Sequence, residues 1–550
     1  MPRTFKIPKP ADPWLLVLLV AATRIPFFAK TLFEFDSMNY AIALFRFDLM
    51  QETPHFPGYL LHVGIAQLLL YLTHNVNDAY VLESFLLSIG SVLLVWYAVR
   101  LVAGRAMAFG AAAVWAFNPI FWFYGCVATV YPHEAFFTAA VAAIGVRYGT
   151  DALRQRSRML FPFLMAAAIG VAGAARPTSV LFFTPAMFVL LWRLRAPLRV
   201  WIGAIGIVGA ISLTWFGILL AYAGGIQGYI DSAHHAPVLK DNSIFLNGTI
   251  AHHAAMIGKI LLYTAIGTAP LWTLLCYSLM RASGATFRII KRGIVSPAGM
   301  FLTTMAIVPF AFYNLIFWAK PGYLLNILAV SAIVAGTLYC RLQREGVVTR
   351  FWRWALVWSL IWIVYFIVPL PGKSVDEMRR EVAVGSTVYE TTERYPSLYQ
   401  KISTAAVKLF TYASSAGIAA FDGENTAILS SLQKLPSPPD KQVIIATQWG
   451  QWAMFYQPHA TVYDLSLFSD KPALVFRGHE MVKREVADSV ITIPPDAQDV
   501  VIQIWKEHWA FPAINAQVHL EQLPTMKYVD EWRITDSHFR FTIGGKTFVR

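Results

Sequence analysis

The chain has 550 residues, of which 57% are hydrophobic and 14% charged, and a mean hydropathy of +0.51. A soluble domain carries about 25% charged residues, so this composition excludes a soluble globular protein and points to an integral membrane protein. The formal net charge of +13 does not indicate a nucleic-acid partner, because the Lys and Arg residues sit mainly in short loops between apolar runs, where they set membrane orientation.

Arg3, Lys6 and Lys9 precede an apolar run that starts at Trp14. No small-x-small cleavage site follows, and Arg24 and Lys30 come next, so the run is expected to be a retained first helix. Further runs of spanning length lie near residues 79–101, 106–124, 134–150, 159–175, 177–193, 200–223, 257–280, 298–318, 322–340 and 354–371, with the first at 13–31. The loops between them alternate in charge. One set holds Arg100 and Arg105, then Arg154 to Arg158, Arg193 to Arg199, Arg281 to Arg292, and Arg341 to Arg353. The other set is poor in Lys and Arg. The positive-inside rule then gives a polytopic α-helical protein of about eleven transmembrane helices, N-terminus in and C-terminus out. Cys126, Cys276 and Cys340 lie in or beside apolar runs and read as small buried hydrophobes rather than metal ligands or a disulfide framework.

Residues 59–73 (YLLHVGIAQLLLYLT) are apolar but short for a span. If they crossed, every later basic loop would fall outside, so they are expected to lie along the interface. Residues 32–78 then form one outer loop with two surface helices, near 38–50 and 57–73, inside a membrane domain of residues 1–371. Beyond Pro371 the composition changes. Residues 372–550 read as a soluble α/β or α+β domain on the outer side, with a linker-like run at 434–440 and strands near 442–447, 460–465, 489–493, 499–504 and 539–543. Residues 403–421 are expected to form a surface helix.

Chemistry concentrates in the first outer loop. Glu34, Asp36, Asp48 and Glu52 stand there beside His55-Phe56-Pro57-Gly58-Tyr59. Most acids in an outer loop are simply solvated. Asp36, however, comes a few residues after the first span, where partial desolvation lifts a carboxylate toward the working range of a general base. It also opens an amphipathic helix in Phe35-Asp36-Ser37-Met38-Asn39-Tyr40-Ala41. At the other outer edges, cations are scarce: Arg176 before Pro177, and Lys320 in Lys320-Pro321-Gly322-Tyr323. A lysine there is often only snorkelling, whereas an arginine near membrane depth usually has a partner. Val130-Tyr131-Pro132-His133-Glu134 opens the fourth span, where Pro and Glu also suit a helix N-terminus. His234-His235 and His252-His253 are adjacent pairs whose side chains diverge, so a substrate-capping loop is a better reading than a metal site.

Asp36 and Tyr40, the element His55, Pro57, Gly58 and Tyr59, the basic turn Arg100 to Arg105, and Asn118-Pro119 with Trp122 together resemble the GT-C glycosyltransferases. The pattern is similar to the branch holding protein O-mannosyltransferases and lipid A aminoarabinose transferases. It departs from the mannosyltransferases at His55-Phe56-Pro57-Gly58, where they show a double proline followed by Leu-Gly, and it has no clear Asp-x-Asp pair. The resemblance covers roughly residues 1–371. It implies a polyprenyl-phosphate-linked sugar donor and inverting transfer to the hydroxyl of a glycan, lipid or protein acceptor on the outer face, at the plasma or inner membrane. By that analogy Asp36 is the base, and Glu34, Tyr40, His55, Tyr59, His133, Glu134, Arg176, Lys320 and Tyr323 bind substrate. No cofactor is expected, a divalent metal being the alternative. The rival readings are a transporter or flippase, and an assembly subunit, for lipid-linked saccharides. A transporter is expected to carry midplane polar residues and broken helices.

Overall fold

The structure, a computed structural model, describes residues 11–152, 160–235, 250–317, 320–368, 413–447, 450–465, 474–477, 482–504, 510–523 and 530–550. Its helices run, in chain order, α1 Ala11–Arg24, α2 Phe35–Ala43, α3 Leu60–Thr73, α4 Val76–Ala103, α5 Arg105–Phe117, α6 Pro119–Tyr124 and α7 Tyr131–Ala152. Next come α8 Leu160–Ala175, α9 Thr178–Arg193, α10 Leu198–Tyr222, α11 Ile226–His235, α12 Ile250–Gly267, α13 Ala269–Val295, α14 Pro297–Leu315, α15 Leu325–Arg344 and α16 Phe351–Ile367. The last three are α17 Ser415–Gln433, α18 Gly450–Tyr456 and α19 Phe511–Asn515. The described residues form two units. The first holds 11–28, 56–368 and 413–415, and the second holds 29–55 and the chain from 416 onward. The segment Ala29–His55, which holds the first part of the expected outer loop 32–78, groups with the chain from 416 onward.

In the first unit, α4, α10, α14 and the stretch Pro321–Arg344 are long and apolar enough to cross a membrane, and α12 with α13 makes a fifth candidate bent by 76°. Five shorter apolar helices, α3, α5, α8, α9 and α16, accompany them. Each expected span overlaps a helix, but the runs at 257–280 and 106–124 are broken, the first at Thr268 between α12 and α13. Asn118 ends α5, its side chain accepts from Phe121 N–H at 3.3 Å, and Pro119 opens α6. Serines join the bundle, Ser84 Oγ donating to Val127 O at 2.9 Å and Ser91 Oγ to Ala135 O at 3.1 Å, as fits helix contacts in an apolar medium. Arg24, buried in this unit, donates to Ala116 O at 2.5 Å and lies over the Phe121 and Trp122 rings.

In the second unit, ten strands appear among the described residues: β1 Gln442–Ala446, β2 Thr461–Asp464, β3 Leu474–Arg477, β4 Lys483–Glu485, β5 Val490–Thr492, β6 Asp499–Gln503, β7 Leu520–Gln522, β8 Glu531–Ile534, β9 Arg540–Ile543 and β10 Lys546–Val549. One sheet has the order β4-β3-β2-β1-β6-β8-β7, with β1 parallel to both β2 and β6 and the outer pairs antiparallel. A smaller sheet has the order β5-β10-β9. Fully buried β1 and β6 (QVIIA and DVVIQ) make the centre, as continuous apolar runs do in parallel sheets. Val443, Ile445, Ile502, Phe541 and Phe548 lie in one core. The expected helix at 403–421 lies largely outside the described residues.

Candidate active site

Asp36 sits in the first turn of α2, a nine-residue helix whose N-cap is Glu34. The Glu34 N–H donates to Ser37 Oγ at 3.4 Å, so Glu34 closes the helix start while Asp36 favours its positive end. Tyr40 follows one turn later on the same face. His55, which ends this segment, meets both: its Nδ1 is 4.0 Å from Asp36 Oδ1, and its ring centroid is 5.4 Å from that of Tyr40. The Asp36 side chain keeps 19% of its surface, against 9% for His55. The other two acids are built into the loop. Asp48 accepts from the N–H of Met50 at 3.1 Å and of Gln51 at 3.3 Å, and Glu52 takes a left-handed φ of 59° that turns the chain.

The approach to α2 is held within the second unit by α17. Asp422 Oδ2 accepts from Lys30 N–H at 2.9 Å, and Oδ1 accepts from Thr31 N–H and Thr31 Oγ1, each at 2.9 Å. Asn425 Nδ2 donates to Leu32 O at 2.8 Å, and Leu32 N–H donates to Tyr456 Oη at 3.0 Å. Burial pushes the Asp422 carboxyl up, against the pull of the Lys30 and Thr31 donors. Sequence inspection gave no warning of this clamp, since Asp422 and Asn425 resemble any polar residues of a surface helix.

A second cluster belongs to the first unit. Arg176, one residue beyond α8, pairs through Nη1 with Glu134 Oε1 at 3.1 Å, and Asn326 Nδ2 donates to Glu134 Oε2 at 3.4 Å. The guanidinium lies 3.9 Å from the Tyr323 ring centroid, close enough for a cation–π contact. Tyr313 stacks on Tyr323 with ring centroids 5.8 Å apart. Gly322 lets this turn press on α7, since a Cβ there would fall 2.4 Å from the Tyr131 ring. Tyr59 holds a left-handed φ of 38° directly after Gly58 at 112°, a conformation that costs a non-glycine residue about 1–3 kcal/mol. Lys320 precedes the short 3-10 turn Pro321–Leu324 and accepts the Tyr323 N–H at 3.1 Å on its carbonyl.

His133 parts company with its neighbour Glu134, because successive residues on a helix point about 100° apart. Its Nε2 is 3.1 Å from Glu83 Oε1, while His62 Nδ1 is 2.8 Å from Glu83 Oε2. Neither His62 nor Glu83 was singled out from sequence, although a carboxylate inside an apolar helix is itself a signal. Of the histidine pairs, His234 is exposed, and the side chains of His235, His252 and His253 lie outside what is described. A cavity of about 250 Å³, lined by Leu271, Leu275, Ile289, Leu302, Leu338 and Arg341 among others, shares no residue with either cluster.

The fold is similar to that of ArnT from Cupriavidus metallidurans. ArnT from Cupriavidus metallidurans in the apo state matches with a TM-score of 0.58 at 14% identity, over 96% of this chain and 98% of its own. The same protein bound to undecaprenyl phosphate gives 0.55 at 14% identity, over 96% and 97%. The Archaeoglobus fulgidus oligosaccharyltransferase in complex with Zn and sulfate is more distant, at 0.43 and 11% identity over 82% of this chain and 62% of its own. Residues 47–199 match the family model described as the protein O-mannosyl-transferase TMEM260 N-terminal domain. That match takes in His55, Tyr59, Glu83, His133, Glu134 and Arg176, and leaves Asp36 and Lys320 outside it. No curated protein matches the chain.

Proposed function

We propose that the protein is an inverting glycosyltransferase that moves a sugar from a polyprenyl-phosphate donor to an acceptor hydroxyl on the outer face of the plasma or inner membrane. Asp36 takes the proton from the acceptor hydroxyl. The resulting oxygen nucleophile attacks the anomeric carbon on the face opposite the phosphate, and the bond from that carbon to the phosphate oxygen breaks with its electron pair on the phosphate. Configuration inverts, and polyprenyl phosphate leaves. A base for the nucleophile and positive charge for the leaving phosphate are the two requirements of this chemistry. Arg176 is the phosphate candidate with the stronger warrant, because a guanidinium has five donors and the Glu134 contact occupies only the Nη1 end. Lys320 is the second. In this reading α1, α5, α7, α8, α9 and α16 also span while α3 lies along the interface, giving eleven crossings with the basic loops inside.

The observation that carries the proposal is Asp36 in the first turn of α2, with His55 and Tyr40 against it, in a chain whose fold is similar to that of ArnT. The test is transfer from a radiolabelled polyprenyl-phosphate sugar by the full-length protein in liposomes. Asp36→Asn is expected to abolish transfer with the melting temperature unchanged, and Lys320→Ala to raise the apparent KM for the lipid donor. Transfer retained in Asp36→Asn overturns the assignment of the base.

A further inference from the structure

We propose that His62, Glu83 and His133 form a binding site for a zinc-class divalent cation that ties α3 to α4 and α7. The three residues come from three separate helices, and one ligand atom of each lies within 4.8 Å of the others. All three are buried, Glu83 and His62 almost completely. Each carboxylate oxygen of Glu83 faces a different imidazole nitrogen, Oε2 toward His62 Nδ1 at 2.8 Å and Oε1 toward His133 Nε2 at 3.1 Å. The other nitrogen of His133 is engaged from outside the trio, its Nδ1 lying 3.2 Å from Val130 O. A ring hydrogen donated there leaves Nε2 as the lone-pair nitrogen. An imidazole whose far nitrogen donates to a backbone carbonyl is the usual outer support of a metal-bound histidine.

A lone-pair nitrogen and a carboxylate oxygen at 3.1 Å repel each other unless a cation lies between them. The choice is a proton or a metal. A proton needs only His133 to be charged, because neutral His62 can donate its Nδ1–H to Glu83 Oε2; a metal instead engages both rings in their neutral form and leaves no imidazolium in the apolar bundle. Two neutral imidazoles and one carboxylate are a ligand set of catalytic and structural zinc sites, with metal–ligand bonds of about 2.0–2.2 Å and hence ligand–ligand edges of about 3.3 Å. The 3.1 Å edge is close to that value, and the 2.8 Å edge must open by about half an ångström. Nitrogen and oxygen donors without a thiolate favour zinc over softer ions. Because Tyr59 caps the start of α3, a cation here also fixes the helix that follows the Gly58–Tyr59 turn.

The experiment uses the full-length protein purified in detergent without metal-affinity resin or chelator. Elemental analysis is expected to find about one zinc per chain, reduced at least tenfold in Glu83→Gln and in His133→Ala. Extraction of zinc and titration with cobalt(II) should give the visible absorption of a tetrahedral cobalt centre in the unmodified chain, and this readout needs no variant to fold. A chelator should lower the melting temperature of the unmodified protein and leave that of Glu83→Gln unmoved. An unmodified chain with neither zinc nor a cobalt spectrum overturns the proposal in favour of a proton-shared trio. Full zinc in the Glu83→Gln, His133→Ala double variant overturns it by placing the metal elsewhere.

Discussion

The carboxylates of the two units are held in opposite ways. In the first unit Glu83 and Glu134 are almost fully buried, and each meets a cationic or imidazole partner at 2.8–3.1 Å. In the second unit Asp36 keeps a fifth of its side-chain surface, and its histidine stands at 4.0 Å. A buried carboxylate locked to a charge belongs to the scaffold, because losing its partner leaves an uncompensated charge in a poor solvent. A carboxylate that reaches the solvent boundary from a rigid helix start can exchange a proton with a substrate. Partner distance and exposure, more than acidity of the loop, separate the two roles.

The comparison is sharpest at Asp36 itself. Asp36→Asn is expected to lower turnover by roughly the 10²–10⁴-fold of a general base, with no change in melting temperature, as measured by single-turnover transfer. Equal losses of activity and of folded protein would break the contrast. The next effect concerns the Arg176–Glu134 pair. Arg176→Ala should destabilise the protein by about 3–5 kcal/mol, because Glu134 is left buried and unpaired. The double variant Arg176→Met, Glu134→Gln should recover most of that stability, as judged by thermal unfolding. If the double variant folds yet binds the lipid donor more weakly, Arg176 has a role beyond the scaffold. If it binds donor normally, the phosphate assignment fails while the Asp36 assignment stands.

Much of this architecture was legible in the chain. Apolar length gave a helix at each expected span, because length and hydropathy are local properties. The boundary at Asn118-Pro119 lies inside a continuous apolar run, and only the Asn118 cap shows that α5 stops there. In the C-terminal unit, β1, β2, β5, β6 and β9 follow apolar runs, whereas β4 (KRE) and β8 (EWRI) carry too much charge to look like strands and form only through pairing. At the site, Asp36, Tyr40 and His55 came together because the helix period and the His-x-Pro-Gly-Tyr element are local. His62, Asp422 and Asn425 could not be found that way. Their partners are distant in sequence, and only the packing of separate helices gives them meaning.

The smallest effect tests the comparison inside the second unit. Glu531, on β8, is as buried as Glu134 but has neutral partners: Gln503 Nε2 donates to Oε1 at 2.8 Å, and Ser431 Oγ contacts Oε2. Burial outweighs the Gln503 hydrogen bond and pushes its carboxyl from 4.5 up to about 8. The folded state therefore holds a proton that the unfolded chain has already released. That stability is fully present below the unfolded value and is lost as pH rises through about 8. Between pH ~7 and ~9 the loss should be about 1 kcal/mol. Amide hydrogen exchange of β6 and β8, corrected for intrinsic rates, should show faster opening at the higher pH. Glu531→Gln should remove that dependence, because a neutral amide has no proton to lose. A pH dependence that persists unchanged in Glu531→Gln would show that another group carries it, and the distinction between the two buried acids would lose its support.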